Sequence, residues 1–365
     1  MNILIIGNGF DLAHGLPTKY SDYVDQIAEH QGFYEYLWET QGADNEKTVL
    51  YNRIRKSVLF KYIEQQREAG WVDFENELRR IIEGICELEN CLAKHSKKNE
   101  DGSYTERLYL KKGTLTECSL FLKMVLYEGG RGPWTQSGFD ELEKDVLSQA
   151  MDFVELFKEY IVWVTKTKIP EVKKKQYFEN FKVDFFLSFN YTTTLFKAYQ
   201  KQINADKFCF VHGMIDENPD SKIVMGVGSD FYNEEKHEKF LECFKFFQRY
   251  QYKSETSLNY LQWIDYFRNQ NVDDLDEDEN RLQIHIYGHS LDLTDKDILL
   301  PFFELKNANV WIYYYDKNSK LSLQKKKNLV RILGRKKFCE YMLCENPKVI
   351  FRRIVEQGDF YKLED

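Results

Sequence analysis

Asn2-Ile3-Leu4-Ile5-Ile6-Gly7-Asn8-Gly9-Phe10-Asp11-Leu12-Ala13-His14-Gly15-Leu16-Pro17-Thr18 is the stretch that decides the fold. The unbroken apolar run Ile3 to Ile6 predicts a short strand covered on both faces, as in a parallel sheet packed between helices. A strand ending in Gly-x-Gly lets the backbone turn sharply and approach a ligand, and the helix that follows is expected to offer free N–H groups to a phosphate. Leu12 stands where the hydride-transfer fingerprint has its third glycine, and no Lys-Ser/Thr pair closes the loop as in a P-loop. An ordinary nicotinamide dehydrogenase is therefore disfavoured. A plain tight turn remains the other reading of the two glycines, although His14 to Thr18 indicates a structured loop. With no basic region before the apolar run and no small-residue cleavage site, the stretch reads as a strand rather than a signal peptide.

Working outward, further strands are predicted over Val183 to Ser188, Lys207 to Val211, Lys222 to Met225, Gln283 to Tyr287 and Asn309 to Tyr315. Between the first strand and Val183 the apolar spacing changes to three and four residues, predicting amphipathic helices over Tyr20 to Glu29, Tyr51 to Glu68, Phe74 to His95 and Phe139 to Thr167. Ser96 to Gly113 and Gly129 to Gly138 read as loops. The expected architecture is α/β: a Rossmann-like parallel sheet with a large helical insertion after the first strand-helix unit. The corresponding boundaries are 1–30 and 179–335 for the nucleotide-binding core, 31–178 for the insertion and 336–365 for a C-terminal helical extension.

Three more strand ends carry chemistry. Ser188-Phe189-Asn190-Tyr191-Thr192-Thr193-Thr194 puts polar groups at the carboxyl end of a strand, where open α/β sheets bind ligands. Asn190 has a donor and an acceptor with which to orient a water or a ribose hydroxyl; the alternative is a helix cap. Val211-His212-Gly213 places an imidazole, the commonest general base, at the same expected edge. Tyr287-Gly288-His289-Ser290-Leu291-Asp292-Leu293-Thr294-Asp295 repeats the theme, but Asp292 replaces the last glycine of a serine-hydrolase elbow. Gly226 to Asp230 adds either a further loop of the rim or a turn. The remaining histidines show no metal-ligand spacing.

The chain has 365 residues, 43% of them hydrophobic and only six of them proline, which predicts a sizeable core and excludes a disordered or linker-rich chain. Its formal net charge of -8 argues against a dedicated nucleic-acid-binding domain. The basic runs Lys173-Lys174-Lys175 and Lys325-Lys326-Lys327 read as solvated helix faces, and the acidic run Asp273 to Glu279 as an exposed loop. Seven scattered cysteines without a C-x-x-C pair suit a reducing cytoplasm and indicate neither disulfides nor zinc. No apolar run is long enough to span a bilayer.

Taken in order, GNGFDLAHGLPTKYSDY, SFNYT, VHG, GHSLDLTDKDIL and NVWIYYYDKNSKLSLQKKKNL resemble the bacterial AbiH-like family, named for abortive infection of phage-infected cells. Trp71-Val72-Asp73-Phe74-Glu75 also looks family-like. More distantly, the sequence is similar to the sirtuin-like NAD-binding fold, although the zinc-binding cysteines of deacylating sirtuins are missing. That resemblance implies NAD as substrate or ligand, no zinc, and cleavage of the nicotinamide–ribose bond by Asn190 and His212. Gly7, Asn8, Gly9, Phe10, Asp11, Gly15, Thr18, Gly213, Gly288, Ser290 and Asp292 would line the nucleotide, with Asp11 or Asp292 facing the developing positive charge. The alternative is a non-catalytic nucleotide-binding or sensing module in phage defence. A phage-derived trigger or partner protein and self-association are left open as partners; a membrane and nucleic acid are not expected.

Overall fold

The computed structural model describes residues 1–30, 32–41, 45–68, 73–95, 136–215, 221–252, 258–269, 281–315, 320–357 and 360–364. Seven strands form one sheet: β1 (Asn2–Ile6), β2 (Phe185–Ser188), β3 (Phe208–Phe210), β4 (Leu282–Tyr287), β5 (Ala308–Tyr314), β6 (Val349–Gln357) and β7 (Phe360–Glu364). Their spatial order is β3-β2-β1-β4-β5-β6-β7, parallel throughout except for antiparallel β7. The first six follow the doubly wound order of dinucleotide-binding sheets. The chain leaves β1 towards β2 and β3 on one side, then returns to β4 on the other. The loops after β1 and β4 therefore flank the point where the winding reverses, and open sheets bind ligands there.

Side chains alternate across β1, so its apolar run feeds two cores. Ile3 and Ile5 join Leu187, Ile284, Ile286 and Val310 on one face, covered by Trp263, Phe302 and Leu329 from helices. Leu4 and Ile6 join Phe186, Phe210 and Tyr287 on the other, covered by Phe10, Phe178 and Tyr199. A third core is built by the helices between β1 and β2, with Tyr23, Phe33, Phe157 and Tyr160, and it also takes in Ile223, Met225 and Phe244. Every regular element between Ala13 and Phe185 among the described residues is helical, including the long helices Phe74–His95 and Gln136–Thr167. The loop over 96–113, most of 129–138, Trp71, Val72 and the acidic run 273–279 lie outside the described residues.

Three expectations are corrected. Residues 336–365 are not a helical extension: the helix Lys320–Met342, kinked at Gly334, gives way to β6 and β7. The pattern hides these strands because Arg352 and Arg353 interrupt the apolar run of β6, one strand in from the β7 edge. Lys222 to Met225 forms no strand. Val224 N–H donates to the His212 carbonyl, while the Gln248 side chain takes both backbone groups of Met225. A side-chain amide thus replaces the neighbouring strand. Lys173 to Lys175 lie in a loop rather than on a helix.

The loops after β1 and β4 touch backbone to backbone. Gly7 N–H donates to Tyr287 O at 3.0 Å and Gly9 N–H to Gly288 O at 2.8 Å. Gly288 has φ of +70°, and a Cβ there would lie 2.3 Å from Phe10 N. Gly15 has a similar φ of +76° with nothing within 4 Å of an added Cβ. Gly288→Ala should therefore cost about 3 kcal/mol or more, the sum of left-handed strain and overpacking, and Gly15→Ala about 1–2 kcal/mol from strain alone. Urea denaturation of the two variants checks the contrast; equal losses would mean that the loop contact is dispensable.

Candidate functional site

The loop after β1 is largely devoted to holding itself together. Asn8 Nδ2 donates to Thr18 O at 3.1 Å, and Thr18 Oγ1 donates to Asn8 Oδ1 at 2.6 Å. Phe10 is fully buried, edge-on to Phe178 and Tyr287, so it is core rather than rim. Phe10 N–H donates to Gly7 O, and Gly9 N–H is taken by Gly288 O. Two of the N–H groups expected to await a phosphate are thus occupied by the chain itself. His14 bridges Phe10 O and the Tyr199 hydroxyl, a satisfied core histidine whose burial lowers its pKa to about 4.

Asp11 is different. It is 1% exposed, its Oδ2 accepts from Thr192 Oγ1 at 2.6 Å, and its Oδ1 has no hydrogen-bond partner. Burial raises its pKa to about 6, a rise held in check by Thr192, Thr194 and Asn190.

After β2, Asn190 is fixed by its backbone: Asn190 N–H donates to Ser188 Oγ, and Ser188 Oγ donates to Asn190 O. Its side chain does not cap the helix Thr194–Tyr199, whose cap position is Thr193 and carries no side-chain cap bond. Asn190 is 4% exposed, yet both polar atoms of its amide lack a hydrogen-bond partner, as does Thr193 Oγ1. Buried polar groups are nearly always satisfied, so exceptions on one sheet edge mark places made for a ligand or water.

After β3, His212 is 4% exposed, and its Nε2 lies 3.0 Å from Asp295 Oδ1 while Nδ1 has no partner. Gly213 turns the chain in the left-handed region. Burial, aided by the Lys245 charge and opposed by Asp295, lowers the His212 pKa to about 4. The imidazole is neutral near pH 7. With Nε2–H donating to Asp295, its lone pair is on Nδ1.

The loop after β4 supplies partners more than contacts. Ser290 is exposed, its carbonyl bonded by Asn328 Nδ2. Asp292 caps the 3₁₀ turn at Thr294 N. Lys325, one of the lysines read as a solvated face, turns inward and donates to the His289 carbonyl. His289 accepts from Leu291 N–H at Nδ1, leaving Nε2–H to face Asp295 Oδ2 at 3.5 Å.

Asp295, Lys245 and Glu75 are site residues that sequence reasoning passed over. Lys245 is 2% exposed, with its Nζ 2.9 Å from Glu75 Oε2 and 3.1 Å from Asp295 Oδ1. Two imidazoles and the ammonium hold Asp295 well below the ordinary carboxylate range; burial and the charge of Asp295 push Glu75 up to about 7 despite Lys245. A signal for Lys245 did exist: one lysine among Phe244, Phe246 and Phe247 can only be buried with company. A polar pocket of about 220 Å³ opens beside this network, lined by Glu75, Arg79, Asp292, Thr294 and Arg331 among others.

The family model for bacteriophage abortive infection AbiH matches residues 3–315. The chain belongs to the AbiH family. Its role is thus in phage abortive infection, an antiviral defence. No curated protein and no solved structure matched it. The span that defines this AbiH chain contains all four loops, and it stops at the end of β5, before the helix that carries Lys325 and Arg331. Among the described residues no helix is long and apolar enough to cross a membrane.

Thr192→Val removes the Asp11 Oδ2 partner and should cost about 1–3 kcal/mol. A raised folded-state pKa means stability that is present below the unfolded value and lost as pH rises through about 6. The variant should therefore fall further behind the parent at pH 8 than at pH 5. Denaturation midpoints at the two pH values measure this, and a deficit that does not depend on pH would count against an ionised Asp11.

Proposed function

We propose that this AbiH protein is an abortive-infection effector that cleaves NAD at the nicotinamide–ribose bond, in the cytoplasm and in response to a phage-derived trigger. The carrying observation is the pair of buried, unsatisfied groups at the ends of adjacent strands: the Asn190 amide after β2 and His212 Nδ1 after β3. The doubly wound strand order supports a dinucleotide as the ligand.

In the proposed reaction the bond between ribose C1′ and the ring nitrogen breaks. Its electron pair leaves with nicotinamide, which departs neutral, and an oxocarbenium-like ribose remains. Asn190 holds a ribose hydroxyl or the attacking water with its amide. The water oxygen bonds to C1′, and His212 Nδ1 takes the proton. The imidazolium so formed is stabilised by Asp295 across Nε2–H. Asp11, with Oδ1 unpaired, suits the developing positive charge better than Asp292, which is engaged as a cap. No zinc is required.

A second reading, nucleotide binding without cleavage, is favoured by the low basicity of His212, since a base with a pKa near 4 draws a proton from water weakly. Nicotinamide release separates the two. Asn190→Ala and His212→Ala should each lower it by roughly 10²–10⁴. Asn190→Ala should lower the melting temperature little at pH 5 and more at pH 8, because its amide makes no other bond and favours the ionised form of Asp11. Binding of NAD without any nicotinamide release, trigger supplied, would establish the second reading. The rate in the parent protein should also decline as pH falls through about 6, where Asp11 gains a proton. In Asp11→Asn that acid limb should vanish; its persistence would remove Asp11 from the mechanism.

A further inference from the structure

Lys245 has no part in the chemistry above, yet it sits directly behind the proposed base. Its ammonium is clamped between carboxylates from two distant parts of the chain: Glu75 from the helix Phe74–His95 and Asp295 from the loop after β4. The Asp295 oxygen that meets the ammonium at 3.1 Å is the one that meets His212 Nε2 at 3.0 Å. Thr294 Oγ1, 3.4 Å from Nζ, completes the cage.

We infer that Lys245 is a positioning residue for His212: by fixing Asp295 Oδ1 it keeps the imidazole proton on Nε2 and the lone pair on Nδ1. This rests on the proposed role of His212 as base. A carboxylate oxygen that receives an ammonium on one side and an imidazole N–H on the other cannot rotate without losing both bonds. Without the ammonium, Asp295 would be held by His212 and His289 alone, and the His212 ring would be free to exchange tautomers. Glu75 steadies the ammonium from the far side, so the placement of the base depends on the docked helical block.

The charges facing His212 act in known directions. Lys245 and Arg249, the latter paired with Asp297, disfavour the imidazolium, and Asp295 favours it. Asp295 is shared with His289, and Glu75 is faced by Tyr20, Tyr191 and Asp73. At neutral pH the balance leaves a neutral ring whose free nitrogen is the one without a partner.

Nitrogen NMR of the histidine-labelled full chain tests this, with His212→Gln identifying the signal. In the parent protein His212 should show a single tautomer, protonated at Nε2 and neutral down to pH 5. In Lys245→Met the tautomers should mix and the titration midpoint rise by at least one unit, a tenfold gain in proton affinity. Lys245→Arg should restore the parent tautomer. Because Lys245→Met strands Glu75, the double variant Glu75→Leu/Lys245→Met removes both charges of that pair and should give the same signature. Nicotinamide release should lose tenfold or more in kcat, with the KM for NAD within twofold. A folded single or double variant that keeps the parent tautomer and midpoint overturns the inference. If the tautomer shifts as expected but the parent protein cleaves no NAD, Lys245 keeps its role and the NAD reading falls instead.

Discussion

A buried ammonium is the constraint around which this molecule is arranged. Leaving such a charge unpaired in apolar surroundings costs several kcal/mol, so the chain must bring carboxylates to Lys245 from wherever it can. One comes with the helix Phe74–His95, the other with the loop after β4. Phe74, next to Glu75, stacks on Phe153 at 4.5 Å and anchors that helix in its own hydrophobic core. Apolar packing thus aims the Glu75 carboxylate, and the ion pair fastens the helical block to the sheet edge. Asp295 then hands the constraint on to His212 and His289.

The two carboxylates meet different fates for a physical reason. Asp295 collects the ammonium and two imidazole N–H groups, enough to keep it ionised although buried. Glu75 has the ammonium but also the Asp295 charge nearby, and desolvation carries it towards neutrality. Against these paired groups the unpaired ones stand out. Gln248 and Asn259 are buried polar side chains whose amides are bonded to backbone carbonyls. Asn190 is equally buried, yet its amide makes no close hydrogen bond and acts only on the Asp11 carboxylate beside it. The difference between a structural and a site amide lies in that accounting, not in burial.

Much of the fold was legible in the sequence because a parallel strand covered on both faces must be apolar at most positions. That rule finds β1, β2, β3, β4 and β5 within a residue or two. It fails for β6, where Arg352 and Arg353 are tolerated near the sheet edge, and it misleads at Ile223 to Met225, a buried run paired with a glutamine instead of a strand. The site divides in the same way. Asn190 and His212 are visible because strand ends are visible. Asp295 and Lys245 become site residues only through contacts across 83 and 50 residues of chain, and no local pattern encodes such a distance.

The glycines of the first loop carry the most instructive difference between sequence and structure. In sequence, Gly-x-Gly means either room for a phosphate or a tight turn, and in the structure the room is filled by the loop after β4. Such packing demands the same absence of a Cβ as a pyrophosphate does, so sequence cannot tell the two apart. The choice has consequences for chemistry. An enzyme that transfers hydride can hold its dinucleotide by the pyrophosphate and leave the ring exposed to a second substrate. With Gly9 N–H and Phe10 N–H already engaged, that grip is weakened here, and Asp11, Asn190 and His212 are among the residues with unsatisfied buried atoms. A ligand that is to pair all three must present hydroxyls, a transferable proton and positive charge in one place. The ribose beside a cationic nicotinamide ring, the substrate proposed above, would offer that combination.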